Sequence, residues 1–460
     1  MTTTQAPNTL NRPAGLPPRP IERWMTPVRK FMHIESASGM VMLACTVVAL
    51  ILANSPLASG FKALWHTEVA LTIGGFSIVG DLGHLVINDV LMTLFFFIVG
   101  LELKRELVCG ELRDPRKALL PVVAALGGMV VPALIYTALQ WGQPGIRGWA
   151  VPMATDIAFV VGFLALLGPR VPFSLKIILL SLAIVDDLGA VLVIAFVFTE
   201  RLEWIWVAAA AAGFGLTYGM NLAGVRQVGA YVVVGCFIWV AVFKSGIHPT
   251  VAGVLLGLLT PSSAWIGDKA FSEVMAELWQ RLTCYEEPLD PDDRQVNLQH
   301  LAFTARESIS PLQRLETALH PWVAFGIIPL FALANAGVTI DAKGLGESVL
   351  IAVAAGLAIG KPVGILSFSW IAARLGWIRL PDNLTWTIFA GGACMAGIGF
   401  TMALFVNALA FPSGSNSELA AMEAAGKIGI LSGSLISVIL GSSLLLYALR
   451  DRDQPDPEND

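Results

Sequence analysis

The feature that most constrains this fold is a series of long apolar runs that recurs along almost the entire chain. A helix that crosses a ~30 Å hydrocarbon core needs about 20 apolar residues, and helices satisfy their own backbone hydrogen bonds in lipid. Twelve runs reach or approach that length: 37–54, 84–101, 118–140, 149–168, 173–198, 203–224, 227–243, 247–260, 320–338, 348–373, 384–411 and 426–449. The sequence therefore predicts an all-α polytopic membrane protein with about 12 transmembrane helices, called spans 1 to 12 in chain order.

The composition is typical of a membrane protein and argues against a soluble enzyme or a nucleic-acid-binding protein. Hydrophobic residues make up 55% of the chain and charged residues only 14%, which is unusual for a soluble enzyme. No basic domain is present, so a nucleic-acid partner is not expected. The five cysteines are scattered without a C-x-x-C pair, which favours core filler over a disulfide framework or a metal site.

The distribution of positive charge predicts the orientation. If the N-terminus and every second loop lie on one side, that side holds 22 of the 29 Lys and Arg residues, the other side holds six, and Lys361 lies inside a span. Positive charges collect in cytoplasmic loops, so both termini are expected in the cytoplasm. The predicted segments are a disordered tail at 1–34, spans 1–8 within 35–261, a cytoplasmic loop at 262–314, spans 9–12 within 315–449, and a tail at 450–460.

Two stretches between the spans have recognisable local patterns. Alternating apolar residues around Gly74-Gly75 predict a β-hairpin at about 68–80, on the side away from the termini. An isolated hairpin is marginally stable, so we expect it to pair, with a second copy of the chain as the candidate partner. In the 262–314 loop, apolar residues at helical spacing from Phe271 to Leu282 predict a short amphipathic helix. The acidic stretch 286–293 is interpreted as a linker, and Ser310-Pro311 is typical of a helix start.

Ionisable residues interrupt three of the spans. Asp186 and Asp187 are adjacent in span 5, Asp156 follows Thr155 in span 4, and Lys361 lies within span 10. Each charge near mid-membrane costs roughly 2.5–3.5 kcal/mol on insertion scales. Isolated charges would have no compensation in lipid, so we expect these residues to form one buried cluster.

Such a cluster has a defined chemistry. Burial brings proton exchange by carboxylates and amines towards the physiological range, and a hard cation such as Na⁺ prefers oxygen ligands. Protons and Na⁺ would then compete for the carboxylates, as a cation/proton exchanger requires. A salt bridge that only locks helix packing stays open as an alternative, although one bridge needs only one carboxylate.

Glycine and proline interrupt two corresponding spans. Pro152 and Gly162 flank Thr155-Asp156 in span 4, and span 11 contains Gly391-Gly392 and Gly397-Ile398-Gly399. Spans 4 and 11 are the middle members of the triples 3–5 and 10–12, which favours an inverted repeat with broken helices 4 and 11. Close packing through small residues is the alternative.

Several motifs, in this order along the chain, resemble the NhaA-type Na⁺/H⁺ antiporters of bacterial inner membranes. The resemblance runs from about Glu35 to Leu449. The motifs are Gly100-Leu101-Glu102-Leu103-Lys104-Arg105-Glu106, Thr155-Asp156-Ile157-Ala158-Phe159, Val185-Asp186-Asp187-Leu188-Gly189, Leu319-His320-Pro321-Trp322, Phe331-Ala332-Leu333-Ala334-Asn335-Ala336-Gly337, Ile359-Gly360-Lys361-Pro362 and Gly397-Ile398-Gly399-Phe400-Thr401-Met402. The resemblance implies a pH-regulated, electrogenic antiporter that uses the proton-motive force to expel Na⁺, and Li⁺, from the cytoplasm. It implies no cofactor beyond the transported ions and no enzymatic activity, with a role in sodium and pH homeostasis.

The resemblance also implies roles for individual residues. Asp187 would be the principal Na⁺ ligand within a site of Asp187, Asp186 and Thr155, with Asp156 beside it, while Asp186 would pair with Lys361 and exchange protons. The pH-sensing entrance would comprise Glu102, Arg105, Glu106, Glu316, His320 and His248. Thr317 stands where the family often has a histidine, and the 262–314 loop is enlarged, so pH activation is where this chain departs from the pattern.

Three other functions fit parts of the pattern. An intramembrane aspartic protease would also place two Asp residues on neighbouring helices, but neither Asp156 nor Asp187 follows Gly-x-Gly. A retinal protein with the chromophore on Lys361 needs only seven helices. A passive channel differs from an exchanger in carrying ohmic current instead of saturable exchange.

Overall fold

The N-terminal part of the protein contains two helices, a hairpin and a long helix. The computed structural model describes residues 37–73, 76–199, 202–225, 227–283, 291–339, 347–412 and 417–450. Helix α1 (Ala37–Ala53) bends by 118° into α2 (Ala58–Trp65), and β1 (Glu68–Ile73) pairs antiparallel with β2 (Phe76–Asp81) so that Ile73 faces Phe76. The strands begin where the predicted 68–80 segment begins and end one residue beyond it. Helix α3 (Leu82–Val108) follows directly.

Apolar helices make up most of the remaining described chain. They continue with α4 (Pro115–Leu139), a 3₁₀ segment (Pro144–Met153), α5 (Ile157–Leu166), α6 (Phe173–Val197), α7 (Trp204–Leu222), α8 (Val228–Ser245) and α9 (Thr250–Leu259). After these come α10 (Asp268–Thr283), α11 (Pro291–Glu307), α12 (Pro311–Asn335), α13 (Ser348–Arg374), α14 (Trp386–Ala396), α15 (Phe400–Ala410) and α16 (Ser417–Arg450).

The number of helices able to cross a membrane is close to the predicted one. Over the described ranges, eight helices are long and apolar enough, and three bent pairs raise the number to 11. The remaining predicted span corresponds to α9, whose ten residues extend only about 15 Å. The protein is therefore a helical membrane protein, and the count of 12 stays a prediction, as does the inverted repeat.

The helices pack in two groups. In the panel (α1, α3, α7, α8, α9 and α12), α3 packs on α9, α1 on α12 and α7 on α8. In the core (α4, Pro144–Met153, α5, α6 and α13 to α16), α4 packs on α13, and α16 packs on both α13 and α14. We call the membrane face near the strands the hairpin side. Helix α3 starts there and ends at the opposite side.

Two local features position Lys361 in α13. A wide π-helical turn at Gly356–Gly360 accommodates Pro362, whose ring would otherwise clash with the preceding turn of a regular helix. A few residues further on, α13 approaches α4 so closely that a Cβ at Gly364 would overlap the carbonyl oxygen of Gly127, and the reverse is equally true. Because neither glycine has a side chain, α13 can pack closely against α4 in the region next to Lys361.

Some helix boundaries differ from the sequence-based ones. Ser310 accepts a hydrogen bond from the Gln313 amide, and Pro311 is the first residue of α12. The predicted helix start at Ser310-Pro311 is therefore confirmed, and α12 begins nine residues before the apolar run at 320–338. Helix α10 contains the predicted amphipathic stretch. The acidic linker prediction is wrong for 291–293, because a proline and two aspartates there form the favourable first turn of α11. Residues 286–290 and the N-terminal tail at 1–34 lie outside the described residues, as does 451–460.

Candidate functional site

The site is built where two interrupted helices meet in the core. Segment Pro144–Met153 and α5 bend by 46° across a three-residue break, and α14 and α15 bend by 44° across theirs. The two breaks touch, because the Asp156 amide donates a 2.7 Å hydrogen bond to the Ile398 carbonyl. In a continuous helix, backbone amides and carbonyls hydrogen-bond to one another. At these breaks some of them lack helical partners and can bind side chains or ions instead.

Asp156 lies between the starts of two helix halves. Its Oδ1 accepts from the Phe159 amide at 3.2 Å and so caps α5. Its Oδ2 accepts from the Thr401 amide at 3.0 Å and from the Thr401 hydroxyl, at the first turn of α15. Both helix N-termini carry partial positive charge, so this carboxylate offsets two dipoles and joins the two broken helices.

Ser434 supports the same helix start from the other direction. Its hydroxyl oxygen on α16 accepts from the amides of Gly399 at 3.3 Å and Phe400 at 3.4 Å. Together with Asp156 it satisfies three consecutive amides at the beginning of α15. The position of Thr401, and hence its contact with Asp156, depends on both partners.

Lys361 and Asp186 form a fully buried ion pair. Lys361 Nζ donates to Asp186 Oδ2 at 2.6 Å, and both side chains are inaccessible to solvent. The ammonium also donates to the carbonyl of Met153 at the end of the first half-helix. The Thr155 hydroxyl lies 2.6 Å from the same Asp186 oxygen and 3.1 Å from the Ala396 carbonyl. One carboxylate oxygen of Asp186 is thus shared by a lysine and a threonine.

Asp187 takes no part in the ion pair with Lys361, which Asp186 forms through one oxygen. Neighbouring residues on a helix point about 100° apart, so Asp187 does not share the ion pair of Asp186. Among the described residues, the Oδ1 atoms of Asp187 and Asp186 are both buried without a hydrogen-bond partner. Asp187 is 1% exposed and lies within electrostatic range of Asp186, Asp156, Glu102 and Lys361. A buried, negatively charged group of this kind fits a proton or a hard monovalent cation.

A cavity leads towards the site from the side opposite the hairpin. It has a volume of about 640 Å³ and is lined by Glu106, Cys109, Gly110, Glu111, Arg113, Asp114, Pro115, Lys117, Ile177, Leu180 and Ser181. Ser181 lies six residues before Asp187 on α6, a distance of about 9 Å along a helix. The site is therefore approached by a polar, water-accessible mouth on this side.

The charged residues predicted for the entrance meet at that mouth. Arg105 near the end of α3 pairs with Glu316 on α12 and lies 3.9 Å from Glu106. Glu102 lies one turn deeper on the same helix, between this cluster and Asp187. His320 follows Glu316 by one turn of α12 and is exposed.

His248 lies elsewhere. It precedes α9 on the hairpin side, where its Nε2 is 3.6 Å from Asp89 Oδ1 and its Nδ1 is 2.8 Å from the Thr250 hydroxyl. The structure therefore separates His248 from the other predicted pH-sensing residues by most of the membrane.

The sequence analysis missed three side chains. Thr401 is the second residue of α15, two positions after Gly399 at the end of the break in span 11, and its place beside that break is the signal that could have identified it. Asp89 is a carboxylate within span 2 and is 3% exposed, so its burial could have been suspected. Ser434 gives no signal, since serines are frequent in α16.

Comparisons with known proteins match the chain to Na⁺/H⁺ antiporters. Residues 29–445 match the family described as Na⁺/H⁺ antiporter 1. A protein named Na⁺/H⁺ antiporter NhaA from Rhodopirellula baltica is 48% identical over 94% of this chain and 97% of its own length. Na⁺/H⁺ antiporter NhaA 2 from Vibrio vulnificus is 45% identical over 94% of this chain and 95% of its own length. Among solved structures, the sodium proton antiporter MjNhaP1 from Methanocaldococcus jannaschii aligns over 93% of this chain and 99% of its own chain. The TM-score is 0.46 and the sequence identity 13%, so this likeness carries no argument.

Proposed function

The chain belongs to the Na⁺/H⁺ antiporter 1 family, and on that premise we propose that it exchanges Na⁺ for H⁺ at the buried carboxylates Asp186 and Asp187. The observation that carries the proposal is the difference in how the carboxylates are used. Asp156 is bound by two helix starts and Asp186 gives one oxygen to Lys361, so Asp187 Oδ1 and the second oxygen of Asp186 are the buried carboxylate oxygens that accept no hydrogen bond within the described part of the chain. Membership of this family favours a secondary transporter over an intramembrane protease or a retinal protein.

The exchange follows from competition between ions for the same oxygens. Na⁺ binds Asp187 with help from the free Oδ1 of Asp186, the Thr155 hydroxyl and carbonyls of the broken backbone. Protons entering the site neutralise the carboxylates and release the cation. Because Asp156, Asp186, Asp187 and Lys361 are close neighbours, they titrate as one coupled group.

Thermodynamic coupling gives the direction of transport. We propose that the proton gradient drives Na⁺ and Li⁺ out of the cytoplasm, with more than one proton entering per cation, so that the membrane potential contributes to the driving force. Glu106 lines the cavity, and Arg105 lies beside it and pairs with Glu316. Together with Glu102 these residues are our candidate for pH regulation, because a glutamate that loses its charge no longer pairs with Arg105.

The protein is a multi-pass membrane protein. We propose the bacterial inner membrane with both termini in the cytoplasm, on the basis of the positive charge in alternate loops. The hairpin is then periplasmic. It is a two-stranded sheet, and because so small a sheet is marginally stable and exposes strand edges, we propose that it pairs with a second copy in a homodimer.

Everted vesicles containing a pH-sensitive fluorescent dye test the exchange between pH 6 and 9. Added Na⁺ should release protons from vesicles with the native protein, and Asp187→Asn should abolish this response. Asp382→Asn, at an exposed loop position, is the matched control and should exchange normally. Native Na⁺-dependent proton release by Asp187→Asn would refute the assignment, and ohmic current without saturation would indicate a channel.

A further inference from the structure

A second cavity of the core is a groove between α4 and the first half of the broken span that follows it. Its volume is about 450 Å³, and it is lined by five residues of α4 within 129–137 and by Ile146, Trp149 and Met153. The lining is apolar apart from the Thr137 hydroxyl and the indole nitrogen of Trp149. Such a lining fits a hydrocarbon chain.

The groove opens onto the membrane-facing surface of α4. Two of its lining residues, Val130 and Leu134, are 42% and 61% exposed, although both lie inside a helix long and apolar enough to cross the membrane. Leu134 precedes the hairpin-side end of α4 by five residues, or about 8 Å. At that depth the molecules that meet these side chains are the acyl chains of lipids.

The deep end of the groove touches the back of the ion site. A Cβ at Gly189, two residues after Asp187, would overlap the sulfur of Met129. The carbonyl of Met153 accepts a hydrogen bond from the Lys361 ammonium. Met129 and Met153 both line the groove, so these two residues separate its contents from the carboxylates and from Lys361.

The shallow end of the groove has a positive charge beside it. Arg147 directly follows Ile146, a lining residue, and is exposed. Trp141, just beyond the end of α4, is 78% exposed, and exposed tryptophans are typical of the headgroup level of a membrane. Arg147 therefore lies where lipid phosphates lie, and a guanidinium binds a phosphate through two parallel hydrogen bonds.

We propose that the groove binds one acyl chain of an anionic phospholipid from the hairpin-side leaflet, with the phosphate held by Arg147. The chain packs on Met129 and Met153, and so keeps the Met153 carbonyl against the Lys361 ammonium. Lipid binding is independent of the proposed exchange function, whereas the effect of the lipid on exchange rests on it.

Native mass spectrometry of the purified protein with added phosphatidylglycerol tests the binding. The unaltered protein should retain one lipid that Ala133→Trp does not retain, because Ala133 lines the groove and the indole would fill it. Arg147→Gln should weaken binding of phosphatidylglycerol by about tenfold, the size expected when a hydrogen bond to a charged group is lost.

Two control variants make the same changes elsewhere. Ala211→Trp adds an indole at an exposed position of α7, and Lys62→Gln removes an exposed cation from α2 on the hairpin side. Both should retain the lipid as the unaltered protein does. If Ala133→Trp does not fold, Ala133→Leu and Arg147→Gln decide the question by the same measurement. Equal retention by the groove variants and the unaltered protein would overturn the proposal, as would loss of a second copy of the chain in place of a lipid.

Exchange in proteoliposomes tests the link to the ion site. When phosphatidylglycerol is replaced by phosphatidylcholine, the half-saturating Na⁺ concentration should rise severalfold for the unaltered protein and stay constant for Ala133→Trp. The same value in both lipids for the unaltered protein would overturn the effect on Lys361. Absence of Na⁺-dependent exchange in the unaltered protein would overturn the proposed function instead, and it would leave the retained lipid in the mass spectra.

Discussion

Ser434 and Ser437 offer a direct test of how the start of α15 is held. Both serines lie on α16, three residues apart, and they are 5% and 0% exposed. Ser434 accepts from two amides, those of Gly399 and Phe400. The Ser437 hydroxyl has no hydrogen-bond partner within residues that the structure describes. The same substitution at the two positions therefore removes two hydrogen bonds in one case and none in the other.

The magnitude follows from the geometry. A hydrogen bond contributes about 0.5–1.5 kcal/mol and a lost helix cap costs about 0.5–2 kcal/mol. The two bonds to Ser434 are long, at 3.3 and 3.4 Å, so each belongs near the lower end. We expect Ser434→Ala to destabilise the folded protein by about 1–2 kcal/mol and Ser437→Ala to be close to neutral.

The assay compares thermal unfolding of both purified variants in one detergent at one heating rate, because membrane proteins commonly unfold irreversibly and only matched scans are comparable. Exchange measured in parallel should show a raised half-saturating Na⁺ concentration for Ser434→Ala, since Thr401 loses its fixed position beside Asp156. Equal losses of stability in the two variants would refute the capping role of Ser434.

Two further substitutions test other parts of the account. Lys361→Met keeps the length of the side chain but leaves Asp186 and the Met153 carbonyl without the ammonium. Exchange should be lost, and the free energy of unfolding should fall by about 3–5 kcal/mol. Native thermal stability of this variant would contradict the buried ion pair. Gly364→Ala should prevent normal packing of α13 on α4, because its Cβ would meet the Gly127 backbone, and the yield of folded protein in size-exclusion chromatography should drop sharply. Gly326→Ala, with open space around the added methyl, is the control and should be nearly neutral.

Much of the fold and the central residues could be predicted because their signals are local and expensive. Charges at Asp156, Asp186, Asp187 and Lys361 stand out in apolar runs, and the structure joins two of them, Asp186 and Lys361, in one hydrogen-bonded group with Thr155. Glycine and proline mark both breaks. Helix geometry predicts that neighbouring Asp186 and Asp187 face different partners. The resemblance alone indicated that Asp186 pairs with Lys361, which the structure shows, and Na⁺ binding at Asp187 stays a proposal.

The remaining features depend on contacts between distant segments. Nothing in the sequence near Ser434 indicates that the start of α15 lies against it, because that contact joins residues that are far apart in the chain. The membrane-facing groove also forms between two separate elements, and apolar residues in an apolar run carry no signal by themselves. The start of α12 at Pro311 was visible from its cap, whereas hydropathy alone placed it later because the first turns are polar.

The central claim is that Na⁺ and protons compete for Asp187. Purified protein in a weakly buffered solution near neutral pH should release protons when Na⁺ is added, and the released amount should be measurable with a pH indicator dye. We expect saturable release by the native protein, a half-saturating Na⁺ concentration that rises as the pH is lowered, and no release by Asp187→Asn. Na⁺ binding without proton release, or with the same affinity at every pH, would contradict the account.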